Sequence, residues 1–189
     1  MSPYFFNAGL FNDGDSLRKL GQFYAKAILA AQLPFDMLFG SAYKGIPLVS
    51  AIAIELAEQG YNYPFCFNRK EVKDHGEGGN LVGAPLGGRV LMVDDVISAG
   101  TSVRESVGYI LGAGAIPGGL IIALDRMERG NGALSAMQEI RHEFGINGAS
   151  IINLDTIISY LRNREDLADN LRAMEEYRAR YGVYQSGIA

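Results

Sequence analysis

The chain has 189 residues, 48% hydrophobic and 20% charged, with a net charge of −4. That supports one sizeable domain with a real core and is too short for two ordinary ones. The acidic balance argues against a general nucleic-acid or membrane-surface binder, no apolar run is long enough to span a bilayer, and a single cysteine, Cys66, cannot form an internal disulfide. The start, MSPYFFNAGLF, lacks a basic region and a small-residue cleavage site, so a reducing cytoplasmic setting is expected, with neither nucleic acid nor membrane as partner.

In chain order, Leu17, Leu20, Tyr24, Ala27, Ile28 and Ala31 recur at helical spacing and predict a helix over 16–32, capped by Asp15 or Ser16. Residues 36–40 (DMLFG) form a short buried strand. A helix follows over 47–60, with proline at its start and glycine at its end. Residues 63–68 (YPFCFN) read as a strand, and Cys66 within it as a small buried hydrophobe. Residues 69–89 break the rhythm: six glycines fall there and no period holds, so a long mobile loop is expected. Further strands are predicted over 89–95, 118–126 and 149–154, and helices over 102–114 and 133–144. The segment TIISYL then leads into a charged final helix with Leu167, Leu171, Met174, Tyr177 or Arg178, and Tyr181 along one side. Alternating strands and helices with continuous apolar strands imply an α/β domain, a mainly parallel twisted sheet with helices on both faces. Ligands of such sheets bind beyond the carboxyl ends of strands, which singles out residues 40–46, 69–75, 94–102 and 125–129.

The stretch VLMVDDVISAGTS (90–102) carries a strand into two acids, Asp94 and Asp95, and then a turn on Ser98, Ala99, Gly100, Thr101 and Ser102 that opens a helix. Unpaired N–H groups of that helix, glycine for close backbone approach and hydroxyl donors make a phosphate cradle. No lysine stands in the turn, so it is not the loop of the nucleotide triphosphatases. The acids would repel a phosphate; they suit adjacent hydroxyls or a divalent cation, and a phosphorylated sugar supplies both. A second cluster, Arg69, Lys70, Lys73 and His75, lies among glycines and reads as a flap closing on an anion, with arginine for bidentate contacts and lysine as a point charge. In GSAYKGIP (40–47), Lys44 is either a salt-bridged surface lysine or the holder of a second anion. Arg126 in LDRMERG stands just past a strand end and matches a planar carboxylate. Phe5 and Phe6 suit either the core or the wall of a flat ring. His142 is packed or solvated within its helix, and no Cys/His cluster has metal-ligand spacing.

VLMVDDVISAGTS resembles the phosphoribosyl-pyrophosphate (PRPP) motif of the type I phosphoribosyltransferases. SPYFFNAG, FGSAYKGIP, CFNRKEVKDHGEGGNLVG and LDRMERG together resemble the orotate branch of that family, in its bacterial and fungal form, from Ser2 to about Val183. The resemblance implies transfer of ribose 5-phosphate from PRPP to a ring nitrogen of orotate in pyrimidine synthesis, with Mg²⁺ as cofactor. Residue by residue, it implies that the turn from Val96 and Ile97 through Ser98 to Ser102 binds the 5-phosphate. Asp94 and Asp95 face the ribose and meet Mg²⁺ through water, with no direct metal ligand. Tyr43 and Lys44 border the pyrophosphate, over which Arg69, Lys70, Lys73 and His75 close. Orotate meets Phe5, Phe6, Ser98 and Arg126. Lys73 and Asp95 are the expected catalytic groups.

The family's flap reaches into the neighbouring subunit, which implies a homodimer. Ser98 stands where the family commonly has threonine, keeping the hydroxyl. The family also carries a segment ahead of SPYFFN that forms a hood over the substrate. Here Met1 is followed directly by that stretch, so a partial hood is expected, with 1–12 as its remnant. Two alternatives share the PRPP motif: a purine-type phosphoribosyltransferase and a non-catalytic PRPP-sensing regulator. The flap with YFFN and Arg126 favours orotate over a purine, and the retained flap cations disfavour the regulator.

Overall fold

The computed structural model describes residues 2–73, 79–98, 100–130 and 132–183, with the backbone alone at 72, 73 and 79. The helices are α1 (Gly14–Ala31), α2 (Gly45–Glu58), α3 (Thr101–Gly112), α4 (Ala136–Phe144), α5 (Leu154–Arg162) and α6 (Ala168–Tyr181). The strands are β1 (Met37–Gly40), β2 (Phe65–Lys73), β3 (Gly79–Gly83), β4 (Arg89–Asp94), β5 (Ile116–Asp125) and β6 (Gly148–Asn153). Among the described residues they form a six-stranded sheet in the order β3-β2-β1-β4-β5-β6, parallel except where β2 pairs with β3.

Side chains alternate across the sheet, because successive strand residues point to opposite faces. On one face Met37, Phe39, Val90, Met92, Leu120 and Ile122 pack with α3 and α4. On the other, Leu38, Leu91, Val93, Ile121 and Ala123 pack against α1 and α2. Each central strand is therefore apolar on both faces, which is why it reads as a continuous hydrophobic run. Cys66 is fully buried, and burial pushes its thiol up to about 11. A third cluster joins Met127, Leu154, Ile158, Leu161 and Met174, docking α5 and α6 beside the end of β5.

Local chemistry shifts several predicted boundaries. Helix α1 is capped by Asp13, whose carboxylate accepts from the N–H groups of Asp15 and Ser16, rather than by Asp15 or Ser16. Helix α4 starts at Ala136 because Ser135 and Gln138 form a reciprocal cap there, leaving 133 and 134 outside. The stretch 69–89 is not one long loop. Strand β2 continues to Lys73 and β3 returns antiparallel from Gly79, with Asn68 opposite Leu81 and Lys73 opposite Gly79. The Val and Leu residues of GNLVG supply strand character that the glycines obscure.

Candidate active site

The strand order reverses between β1 and β4, and a crevice opens beyond their carboxyl ends. Its floor depends on two glycines in close approach. A Cβ on Gly40 would lie 2.3 Å from the carbonyl oxygen of Gly45, and one on Gly45 would lie 3.1 Å from that of Val93. The turn 41–44 is thus pressed against β4. It is also tied to β2, because the buried Asn68 accepts the Ala42 N–H through Oδ1 at 2.7 Å. Tyr43 is exposed on this turn, and Lys44 reaches from it to Asp95, Nζ to Oδ2 2.7 Å. Lys44 is therefore salt-bridged, and its partner is a site acid.

Asp94 and Asp95 are both buried at the end of β4. Each uses one oxygen to organise the turn: Asp94 Oδ1 accepts the Asp95 N–H at 2.9 Å, and Asp95 Oδ1 accepts the Val96 N–H at 2.8 Å. Burial holds the Asp94 carboxyl above its ordinary range, while the Ser102 hydroxyl, donating to Oδ2 at 2.7 Å, acts the other way. From the opposite side the fully buried Tyr24 of α1 donates its hydroxyl to the Asp94 carbonyl at 2.7 Å. Helix α3 then begins behind Gly100, which takes the left-handed conformation (φ 69°) and leaves the helix without a side-chain cap. Its first-turn N–H groups are the donors an anion would use. Ser98 and Thr101 are exposed at this turn, whereas the Ile97 side chain packs into the core. Ser102 is committed to Asp94 rather than standing open as a phosphate donor.

A cavity of about 210 Å³ is lined by Phe5, Phe6, Lys44, Asp95, Val96, Ser98 and Arg126. The structure thus gathers residues from four separate stretches that the sequence had marked individually. Phe6 stacks on Phe11 (centroids 5.8 Å apart) and packs against the core beneath, so it is both core and wall; Phe5 is 76% exposed. Arg126 is held at the rim by the turn after β5, where Asp125 Oδ1 accepts the N–H of Met127, itself left-handed at φ 48°. Burial keeps the Asp125 carboxyl raised.

Other expected groups are not brought in. Arg69 is half-buried on β2, and Lys70 faces Glu105 of α3 at 3.4 Å; neither lines the cavity of its own chain. The Lys73 side chain, His75 and Ala99 lie outside the described residues. Tyr24, Asn68, Tyr177 and Glu128 were not marked by sequence reasoning as site residues. The signal available for Tyr24 and Asn68 was only that each is a polar group in an otherwise apolar stretch.

Among the described residues no helix is long and apolar enough to cross a membrane, and no three His, Cys, Asp or Glu side chains gather around a metal position. The acids do not suit a resident dication, because Lys44 already sits on Asp95 and Ser102 on Asp94. They suit one brought in by a ligand and met through water.

The Ser102 contact carries a testable consequence. Ser102→Ala removes a donor to the charged form of Asp94, so the pKa of that carboxyl rises further. The acid limb of the pH–activity profile is then expected at higher pH than in the wild type. Superimposable limbs in the two pH profiles would show that Asp94 ionisation does not govern the site.

The sheet order, phosphate turn and rim define a phosphoribosyltransferase, and residues 10–131 match the phosphoribosyl transferase domain family. The orotate phosphoribosyltransferase of Nitrosospira multiformis is 77% identical over 181 residues, covering 96% of this chain and 79% of that protein. That of Nitrosomonas europaea is 63% identical over 182 residues, covering 96% and 80%. The crystal structure of the Francisella tularensis orotate phosphoribosyltransferase superposes with a TM-score of 0.87 at 38% identity, over 96% of this chain and 88% of that one. The chain belongs to the orotate phosphoribosyltransferase family.

Proposed function

We propose that the chain transfers ribose 5-phosphate from PRPP to orotate, forming orotidine 5′-monophosphate and pyrophosphate. The observation that carries this reading is the single cavity wall formed by Phe5, Phe6, Asp95, Ser98 and Arg126: an aromatic surface, a sugar-binding acid, a phosphate turn and a carboxylate-matching arginine around one space. The uncapped N-terminus of α3 and the turn from Val96 to Thr101 take the 5-phosphate. Asp94 and Asp95 accept the ribose hydroxyls, and Tyr43 and Lys44 face the pyrophosphate. Orotate lies against Phe6 with its carboxylate toward Arg126 and its ring nitrogen toward the anomeric carbon.

The bond from that carbon to the pyrophosphate oxygen breaks and the oxygen keeps the electron pair. The ring nitrogen, having given up its proton, supplies the pair for the new bond. A cationic sugar and a highly charged leaving group develop between these events, so catalysis rests on fixed charges and excluded water more than on a strong base. Lys44 can pass from Asp95 to the pyrophosphate, freeing that acid for the sugar. Mg²⁺ entering with PRPP would add positive charge to the leaving group, and Asp94 and Asp95 would orient its water.

The flap reading extends to a homodimer. Arg69 and Lys70 do not border the cavity of their own chain, which is the expected geometry for a flap that serves a neighbour. A cytoplasmic setting accords with the lone, buried Cys66.

Loss of orotate absorbance on adding PRPP and Mg²⁺, with hypoxanthine as control base, tests the reading. Consumption of orotate alone, abolished by EDTA, is expected. Consumption of hypoxanthine would establish the purine alternative, and PRPP binding without turnover of either base would favour the sensor.

A further inference from the structure

Arg126 lines the cavity from a turn that holds its backbone, but its guanidinium is held by groups outside the site. Nη2 lies 3.0 Å from Glu128 Oε2 and donates to the Tyr177 hydroxyl at 3.2 Å. The Tyr177 hydroxyl donates in turn to the same Glu128 oxygen, closing a three-membered ring of polar contacts. Tyr4 covers the guanidinium, with its ring centroid 5.2 Å from Cζ, and meets Tyr177 edge-on at 5.9 Å. Nε is buried and has no hydrogen-bond partner. A buried donor on a charged group is costly to leave unpaired, so the contacts that hold this guanidinium in place have to outweigh that cost.

Tyr177 belongs to α6, which packs on α5 through Leu171 and Met174. One turn beyond that apolar contact it turns a hydroxyl toward the rim of the cavity. Position 177 therefore has a polar task distinct from docking the helix.

We infer that Tyr177, together with Glu128, is a positioning residue that fixes the Arg126 guanidinium for the carboxylate of the pyrimidine and so sets selectivity for a carboxylated ring. This rests on the reading of Arg126 as the orotate contact. An arginine free to swing would still attract an anion but would lose the fixed planar geometry that makes a carboxylate better than a neutral group. Glu128 and Tyr177 engage Nη2, and an arginine retains further N–H donors after one nitrogen is engaged.

Orotidine 5′-monophosphate and uridine 5′-monophosphate differ only by the ring carboxylate, and both bring a 5′-phosphate to the α3 turn. The ratio of their affinities therefore reads the carboxylate contact, and the absolute affinity of the uridine nucleotide reads the integrity of the rest of the site. Calorimetric titration of both into Tyr177→Phe and Glu128→Gln is expected to show uridine 5′-monophosphate binding as in the wild type. The preference for orotidine 5′-monophosphate should fall by about tenfold, the scale of one charged hydrogen bond. A preference within about twofold of the wild type, or a parallel loss of both nucleotides, overturns the inference. Arg126→Gln run alongside separates the two levels. A preserved preference in that variant removes Arg126 from the orotate contact itself, whereas its collapse with no change in Tyr177→Phe removes only the role of Tyr177.

Discussion

Lys73→Ala is expected to lower kcat by about 10²- to 10³-fold, the cost of removing one charge that stabilises a developing anion. KM for PRPP should change much less, because a flap contact that strengthens as pyrophosphate leaves acts on turnover rather than on ground-state binding. The backbone places Lys73 at the last paired position of β2, opposite Gly79, where the hairpin projects beyond the sheet. Strand β2 pairs with β1 only as far as Phe67, well before this position, so the unfolding midpoint should be unchanged. If the flap serves the partner's site, mixing Lys73→Ala with Asp95→Asn restores activity. Random re-pairing leaves half the dimers mixed with one complete site each, about a quarter of wild-type activity in all. An unchanged kcat in Lys73→Ala would remove the flap from the mechanism, and no recovery on mixing would return it to its own chain.

Gly40→Ala has the largest effect expected on the fold. The added methyl would lie 2.3 Å from the Gly45 carbonyl oxygen and 2.7 Å from Val49 Cγ1. The carbonyl belongs to backbone at the start of α2, which cannot rotate away as a side-chain tip can. Over-packing of this kind costs about 3 kcal/mol, and in a domain of this size that lowers Tm by roughly 10 °C. Because the same contact presses the turn 41–44 against β4, KM for PRPP should rise in the surviving folded fraction. A variant that melts within about 2 °C of the wild type would mean that the close approach of Gly40 and Gly45 is not required.

What could be read from the residues and what could not divide along a physical line. Strand β4, the turn from Asp94 to Ser102 and helix α3 are encoded in one continuous stretch, 89–112, and their chemistry is local: a buried strand end, glycine where φ is positive, hydroxyls at a helix start. They were legible, as was the mainly parallel sheet, because strands buried on both faces show as unbroken apolar runs. Tyr24 was legible only as a position on the buried side of α1. Its bond to the Asp94 carbonyl spans 70 positions in sequence, and no local pattern distinguishes a hydroxyl that tethers from one that merely packs. The same holds for Tyr177 and Arg126, 51 positions apart. The hairpin of β2 and β3 was missed because its glycines and charges mimic a loop, while the pairing that makes it a strand lies across the turn. Ile97 was read as part of the phosphate turn, but its side chain answers to the core, a choice made by packing behind the turn.

The edge hairpin has a mechanical consequence. Strand β2 is paired to β1 from Phe65 to Phe67, whereas its outer half, from Asn68 onward, is braced by β3 on one side. The outer half of β2, which carries Arg69 and Lys70, is a cantilever anchored at a short root. Load on this outer half meets Asn68 first, the residue that also holds the turn 41–44, before it reaches the central strands. Stiffness of the outer half of β2 is therefore set by its pairing with β3, and rigidity of the two apolar layers flanking the sheet by the central strands.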